Sequence, residues 1–486
     1  MLRSLLAGLS VILSALVTSL VSIALPTPSA AQVLPRGILV TGTPQTVWSW
    51  SSSPKCGGGQ DFPDVPARPF MVGQTVRWFA SNSGNYASVG TGGRDILATL
   101  QRGVTVGQPS CVQSVASTPR QATAPFYPGS VPATYNTALW LASPFKDGTT
   151  VHALLHNEFH GDWTGDLTWC ANQTQTIYLP CSYWNIVGAN SSDGGVHFKL
   201  NQSSSGVNVP AIALAQPYAK PTNNEPGPQG MTAQSNILKS EGYYYVLALQ
   251  LLLVAPGAAS PLNGTCIWRA PVASGPLVWT GWDGTGWTVA SPASYPATSQ
   301  PATSPPLCKP VLPGPFRASW TFNGLAGYGV VVLGQDTLVN MKARNARMDG
   351  CPYAPGASAS TADAAFAYIV ATNLPITVPN MPAPGSTNWP LDRLQENTEI
   401  CLLQINSINT ASTLTRHAYP SLLDPKSATF GSGDLNFQFS GYLPYLYFTQ
   451  MNPTGPQNPQ GWDRDLVRIA VQVFPSQSMD APIKGR

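Results

Sequence analysis

Short apolar runs recur along this chain, each bounded by Gly, Pro, Asn or Ser, and segments with a 3.6-residue apolar period are almost absent. That rhythm is what most constrains the fold. Val76–Ala80, Val151–Leu155, Ile186–Ala189, Tyr243–Leu249, Thr265–Arg269, Ala318–Phe322, Tyr328–Leu333, Phe366–Val370, Tyr445–Thr449 and Leu466–Phe474 read as strands. Only Asp392–Thr398 and Asp95–Leu100 read as short helices. With 47 Pro and 44 Gly among 486 residues, loops are long and helices are interrupted. The 14 Trp, 17 Tyr and 15 Phe still supply a large core, which excludes a disordered chain. The fold class is therefore all-β.

The strands fall into five clusters, near 68–116, 134–200, 207–288, 316–376 and 415–474, joined by Pro/Ser/Thr-rich loops. Similar β units without a clear break suggest radial repetition about an axis, as in a five-bladed β-propeller forming one domain over 32–486. A pair of β-sandwiches leaves the same pattern. If the clusters are blades, Ile38–Gly42 or Thr46–Trp50 should join the sheet of Leu466–Phe474, because pairing the chain ends protects exposed edges.

The chain opens with one positive charge at Arg3, an uncharged stretch from Leu5 to Leu25, Pro26 and Pro28, and then Ser29-Ala30-Ala31. This reads as a signal peptide over 1–31, with an uncleaved anchor as the competing reading. The expected location is secreted or periplasmic, with no membrane span after cleavage. Eight cysteines in the remaining chain then read as disulfides, although eight allow ~105 pairings. Cys170 and Cys181, the nearest pair, are expected to clip one loop. No CxxC is present, so a structural zinc site is not expected, nor is any cofactor. Charged residues make up 10% of the chain and the net charge is +3, which argues against a nucleic acid partner.

Four motifs stand out, two structural and two chemical. Ser191-Ser192-Asp193-Gly194-Gly195-Val196-His197-Phe198 resembles the Asp-box of sialidase-type propellers, a folding device in which Asp bonds a turn and an aromatic plugs the core. Trp282-Asp283-Gly284-Thr285-Gly286-Trp287 reads as a related hairpin turn. His152, His156, Glu158 and His160 form the densest chemical cluster, and a continuous strand would put all four on one face with Leu154. They read as a functional pocket, a structural polar network or a metal site, and Glu158 among apolar neighbours and neutral imidazoles is expected to have a raised pKa. Asp64 and Arg68, on a segment stiffened by Pro63, Pro66 and Pro69, can place a carboxylate and a guanidinium in one cavity, or form a surface ion pair.

Four stretches resemble the five-bladed propellers of the arabinanase and β-xylosidase type, within the wider group of propeller glycoside hydrolases. These are Asp64 to Phe70, the hairpin Asn236 to Tyr245, the pair Ala418–Pro425 with Pro444–Phe448, and Arg464 to Ile469. The resemblance implies an axial pocket that takes an oligo- or polysaccharide. It implies an Asp from blade one as base or nucleophile, a second acid, and a Glu as proton donor. Asp64 matches the first position, and His156-Asn157-Glu158 falls where the second acid is expected. At the donor position Thr232-Ala233-Gln234-Ser235 holds no acid, which leaves Glu158, Glu225 or a pocket His. Asp64, Glu158 and Glu225 are thus the catalytic candidates. Arg68, His156, Asn157, His160, Asn236 and Asp424 are the candidates for substrate contacts. The alternatives are a glycan-binding propeller without catalysis and a protein-interaction propeller.

Overall fold

Where Pro and Gly punctuate the chain, the runs between them pair into antiparallel meanders. The computed structural model describes residues 37–52, 63–73, 75–81, 91–95, 111–112, 115–116, 131–135, 139–161, 182–195, 198–214, 229–240, 242–252, 263–273, 276–292, 307–312, 317–323, 329–348, 350–371, 399–427, 435–455 and 463–474. Among these, five meanders follow one another. The first runs Phe70–Val72, Thr75–Ser81, Thr91–Asp95, Cys111–Val112. The second is Leu139–Asp147, Thr150–His160, Ser182–Ser191 and Phe198–Leu200. The third is built on Gln229–Thr232, Tyr243–Leu251, Gly264–Pro271 and Thr280–Gly281. Arg317–Asn323, Gly329–Thr337, Ala364–Ala371 and Ile400–Ile405 make the fourth, and Arg416–Leu423, Tyr445–Met451 and Arg464–Val473 the fifth.

The expected pairing of the chain ends is present, and it uses both N-terminal segments. Ile38–Val40 lies antiparallel to Arg464–Val473 with Ile38 opposite Val473. Gln45–Trp48 pairs further along the same strand, with Gln45 opposite Arg468. Strands with both faces covered need apolar residues on both, which is why Tyr243–Leu251 and Ala364–Ala371 read as near-continuous apolar runs.

Each meander packs on the next through a separate apolar cluster. Phe70 meets Leu155 and Phe198, Ile186 meets Val246 and Trp268, and Leu247 meets Trp320 and Val332. Phe366 meets Phe448, and Trp48, Leu423 and Tyr447 close on Ala67. Hydrogen bonds follow the same order. Arg68 donates to Ala142 O, Ser143 to Ser235 O and Asn236 to Trp320 O. Thr321 then donates to Gln438 O, and Met71 N to Leu435 O. A parallel pairing of Tyr183 and Trp184 with Gln229 and Gly230 fuses the second and third meanders into one twelve-stranded sheet. Gly230 is required there, since its φ is +127° and a Cβ would lie 1.8 Å from Trp184 O.

Several strands escaped sequence reading, three of them long and central to the meanders. Leu139–Asp147 contains Pro144 and a register shift between Leu141 and Ser143, and proline in a strand is tolerated at such edges and bulges. Arg416–Leu423 hides its strand character behind Pro420 in the same way. Ile400–Ile405 lies beyond the long loop taken to end the fourth cluster. Of the two segments read as helices, Asp95 instead ends the strand Thr91–Asp95, while 96–100 and 392–398 lie outside the described residues; a helix not anticipated is Leu338–Ala343, whose first turn is capped by Thr337 Oγ1 accepting from Asn340 N.

Among the described residues two disulfides, Cys266–Cys308 and Cys351–Cys401, link parts of the third and fourth meanders. The expected Cys170–Cys181 link and the N-terminal leader fall outside the described residues. Among the described residues no helix is long and apolar enough to cross a membrane. Trp48, 1% exposed, seals the contact between the joined ends and the first meander. Trp48→Ala should lower unfolding stability by about 3–5 kcal/mol in urea titration. A loss under about 1 kcal/mol, the range of a surface substitution, would show that this contact does not hold the ends together.

Candidate functional site

A cavity of about 550 Å³ is lined by side chains from all five meanders or the segments entering them. Asp64 enters from the proline-stiffened segment before Phe70. It accepts hydrogen bonds from Trp140 Nε1 at 3.3 Å, from the Tyr419 hydroxyl at 3.1 Å and from Arg464 Nη1. One carboxylate thus joins the first, second and fifth meanders. Burial lifts its pKa above the ordinary Asp value, with a smaller lift from the Glu158 charge; Arg464 and Tyr419 pull against that shift. Three donors on one carboxyl favour the anion near neutral pH.

Glu158 sits on the strand Thr150–His160, where the two-residue period sends His156, Glu158 and His160 to one face. His156 Nε2 lies 2.7 Å from Oε1 and His160 Nε2 lies 2.7 Å from Oε2. His160 Nδ1 meets the Ser182 hydroxyl at 2.9 Å, so this ring can accept on one side and donate to Glu158 on the other. The expectation of a raised pKa is corrected here. Burial alone would raise it, but the two imidazoles together outweigh burial and hold Glu158 down to about 2. The apolar surroundings are visible in the sequence, whereas the bidentate grip of the rings is not.

The structure separates the remaining candidates. Asp64, Arg68, His156 and Glu158 line the cavity. His160 is fully buried behind Glu158 and does not line it. His152 shares their strand face but lies four residues back, about 13 Å along the strand. There its Nδ1 meets Asn190 Oδ1 at 2.6 Å. Asn157 is buried on the opposite face. Asn236 ties the third meander to the fourth, accepting from Trp320 N at 3.0 Å and donating to Trp320 O at 2.8 Å. Asp424 accepts from Lys426 N and Gly441 N in a buried turn. Neither Asn236 nor Asp424 reaches the cavity wall, so both are positioning groups of the scaffold. Glu225 lies outside the described residues. No group of three His, Cys, Asp or Glu side chains among the described residues could hold a metal ion.

The Ser191 turn is built as a folding device. Ser191 Oγ donates to Asp193 Oδ1 at 2.7 Å and accepts from Gly195 N at 2.8 Å, while Phe198 is buried beneath it. Asp283 likewise accepts from Thr285 N at 2.6 Å and Gly286 N at 2.7 Å.

Sequence reasoning missed Trp184, Arg317 and Tyr419 and read Arg464 only as part of an outer edge; all four line the cavity. Tyr419 is brought there by a bulge, since the pairing of its strand skips from Ala418 to Ser421. Its φ is +61°, unusual for a side chain this large. The one available signal was Tyr419-Pro420 inside an apolar run. Burial pushes the Tyr419 phenol well up, which keeps it a donor to Asp64.

No family model matches the sequence, and no curated protein does. Solved structures similar to the chain include the catalytic domain of a GH62 α-L-arabinofuranosidase from Coprinopsis cinerea, at 8% identity over 90% of this chain and 98% of that one, with a TM-score of 0.38. Another is the α-L-arabinofuranosidase of Podospora anserina in complex with cellotriose, at 9% identity over 89% and 97%, TM-score 0.35. A third is a GH43 β-xylosidase/α-arabinofuranosidase from a compost microbial metagenome in complex with xylotriose, at 9% identity over 89% and 95%, TM-score 0.35. At such values these likenesses fix neither a blade count nor an activity.

The depressed pKa of Glu158 has a pH consequence. A carboxyl lowered on folding contributes stability that is present above its unfolded pKa, about 4.3, and lost as pH falls through about 2. Replacing Glu158 by Gln should therefore cost on the order of 3 kcal/mol at pH 6, and the gap from the native protein should close by pH 2. A gap that is constant with pH in denaturant titrations would show that packing, not charge, sets the loss.

Proposed function

We propose that this chain is an exported, single-domain five-bladed β-propeller that takes a carbohydrate into its axial cavity. Five successive meanders, an apolar cluster between each neighbouring pair and paired chain ends support the propeller. The two disulfides and the apolar N-terminal segment support export.

The observation that carries the carbohydrate reading is the wall of the cavity. Trp140 and Trp184 offer ring surface beside a dense set of polar groups, and the volume suits one or two sugar rings. Among the described residues three buried groups on that wall lack a partner: Gln234 Oε1, Trp184 Nε1 and Arg68 Nε. A ligand whose hydroxyls both donate and accept satisfies each of them.

Hydrolysis is the second reading, favoured by a specific feature: two carboxyl groups face one cavity with opposite pKa shifts. Such a divided pair is what acid–base cleavage of a glycosidic bond requires. Glu158, ionised across the useful pH range, would take a proton from the attacking water. Asp64, with the raised pKa, would protonate the leaving oxygen, against the three donors that favour its anion. Those donors, and the absence of an acid in Thr232-Ala233-Gln234-Ser235, are the reason binding stands first.

Screening the protein on a glycan array and assaying reducing-end release on the same preparation separates the readings. Oligosaccharide binding with no release by the native protein or Glu158→Gln would establish a binding cavity alone. Release that falls by roughly 10²–10⁴-fold in Glu158→Gln, with binding retained, would establish hydrolysis. No glycan bound at all would overturn both.

A further inference from the structure

The cavity wall carries more positive charge than its carboxylates use. Besides the Tyr419 phenol, six titratable side chains line it among the described residues: Asp64, Arg68, His156, Glu158, Arg317 and Arg464. Asp64 is matched by Arg464, and Glu158 by the His156 and His160 rings. Two guanidinium groups, those of Arg68 and Arg317, then remain without a carboxylate partner among the described residues.

Arg68 is 5% exposed, and its Nη1 donates to Ala142 O at 2.8 Å and Ser143 Oγ at 2.9 Å. Both acceptors are uncharged, and its Nε is buried with no partner among the described residues. Burying a cation this way is costly, and burial pulls the Arg68 pKa down to about 9. Arg317 opens the strand Arg317–Asn323 and lines the same cavity close enough for its charge to act on the Tyr419 phenol. Its side chain makes no hydrogen bond or ion pair among the described residues. A planar guanidinium fork left open inside a cavity is suited to a two-oxygen anion.

We infer that the cavity selects glycans whose sugar carries an anionic group, a carboxylate or a sulfate ester, received by Arg317, with the Arg68 charge on the same wall. This rests on the carbohydrate reading above and sharpens it to a substrate class. The carboxylates already on the wall do not oppose such a ligand, because each is already held by cationic or donor groups of its own. The same charge inventory makes a purely neutral sugar a poorer match, since it leaves Arg317 without a counter-ion.

Titration calorimetry with oligosaccharides of matched length tests the inference. The probes are oligogalacturonates, sulfated galactan oligosaccharides, and neutral xylo- and arabino-oligosaccharides. The native protein should bind at least one acidic series roughly ten- to a hundredfold more tightly than the neutral ones, as one charge-assisted contact implies. The two acidic arms identify which anion is taken. Arg317→Gln, confirmed as folded by its thermal transition, should lower the acidic-to-neutral affinity ratio about tenfold. Should Arg317→Gln not fold, the preference of the native protein should itself fall between about 50 mM and 500 mM NaCl. Neutral sugars bound as tightly as acidic ones, or a ratio unchanged in Arg317→Gln, would overturn the inference and leave the carbohydrate cavity standing. Absence of binding in every arm would instead overturn the carbohydrate reading, and this inference with it.

Discussion

The strand Arg464–Val473 receives both N-terminal segments on one edge and Tyr445–Met451 on the other, so the first and last parts of the chain share one sheet. Its first residue, Arg464, also holds Asp64 in the cavity. Joining the ends and assembling the site are therefore one event: until that strand pairs, Asp64 lacks its cation and the burial of its carboxyl is uncompensated. Contacts so distant in sequence close large loops, and folding of such all-β topologies is correspondingly slow.

Inside this frame the two carboxylates diverge because they are solvated by different groups. Glu158 is gripped by rings projecting from its own strand, an arrangement fixed as soon as Thr150–His160 extends. Asp64 depends on three separate elements. The first environment is local and the second is tertiary. The charge state of Glu158 thus belongs to a strand, while that of Asp64 belongs to the assembled molecule.

The same distinction explains what could be read from the sequence. Strand character and the five-part rhythm are local properties, and both were legible. So was the shared face of His156, Glu158 and His160, because a period of two requires nothing beyond the strand itself. His152 shows the limit of that reasoning: periodicity gives a face but not a distance from the cavity. Asn236 and Asp424 looked like ligand groups, since short polar side chains serve turns, straps and binding sites alike. Arg317 and Tyr419 could not be found in this way, because what places them is the meeting of separate meanders and, for Tyr419, a skipped pairing.

That skipped pairing has a consequence for how this protein can change. Left-handed backbone costs a residue with a Cβ about 1–2 kcal/mol, and Tyr419 carries that cost to hold its hydroxyl against Asp64. Glycine at the same place would relieve the backbone and forfeit the hydroxyl. Ala233, the other non-glycine residue on the cavity wall with positive φ, has no polar group to lose. Selection for robustness alone would thus be free to relax position 233 but would erode position 419. A lineage that keeps an aromatic hydroxyl at 419 is trading stability for whatever the cavity does.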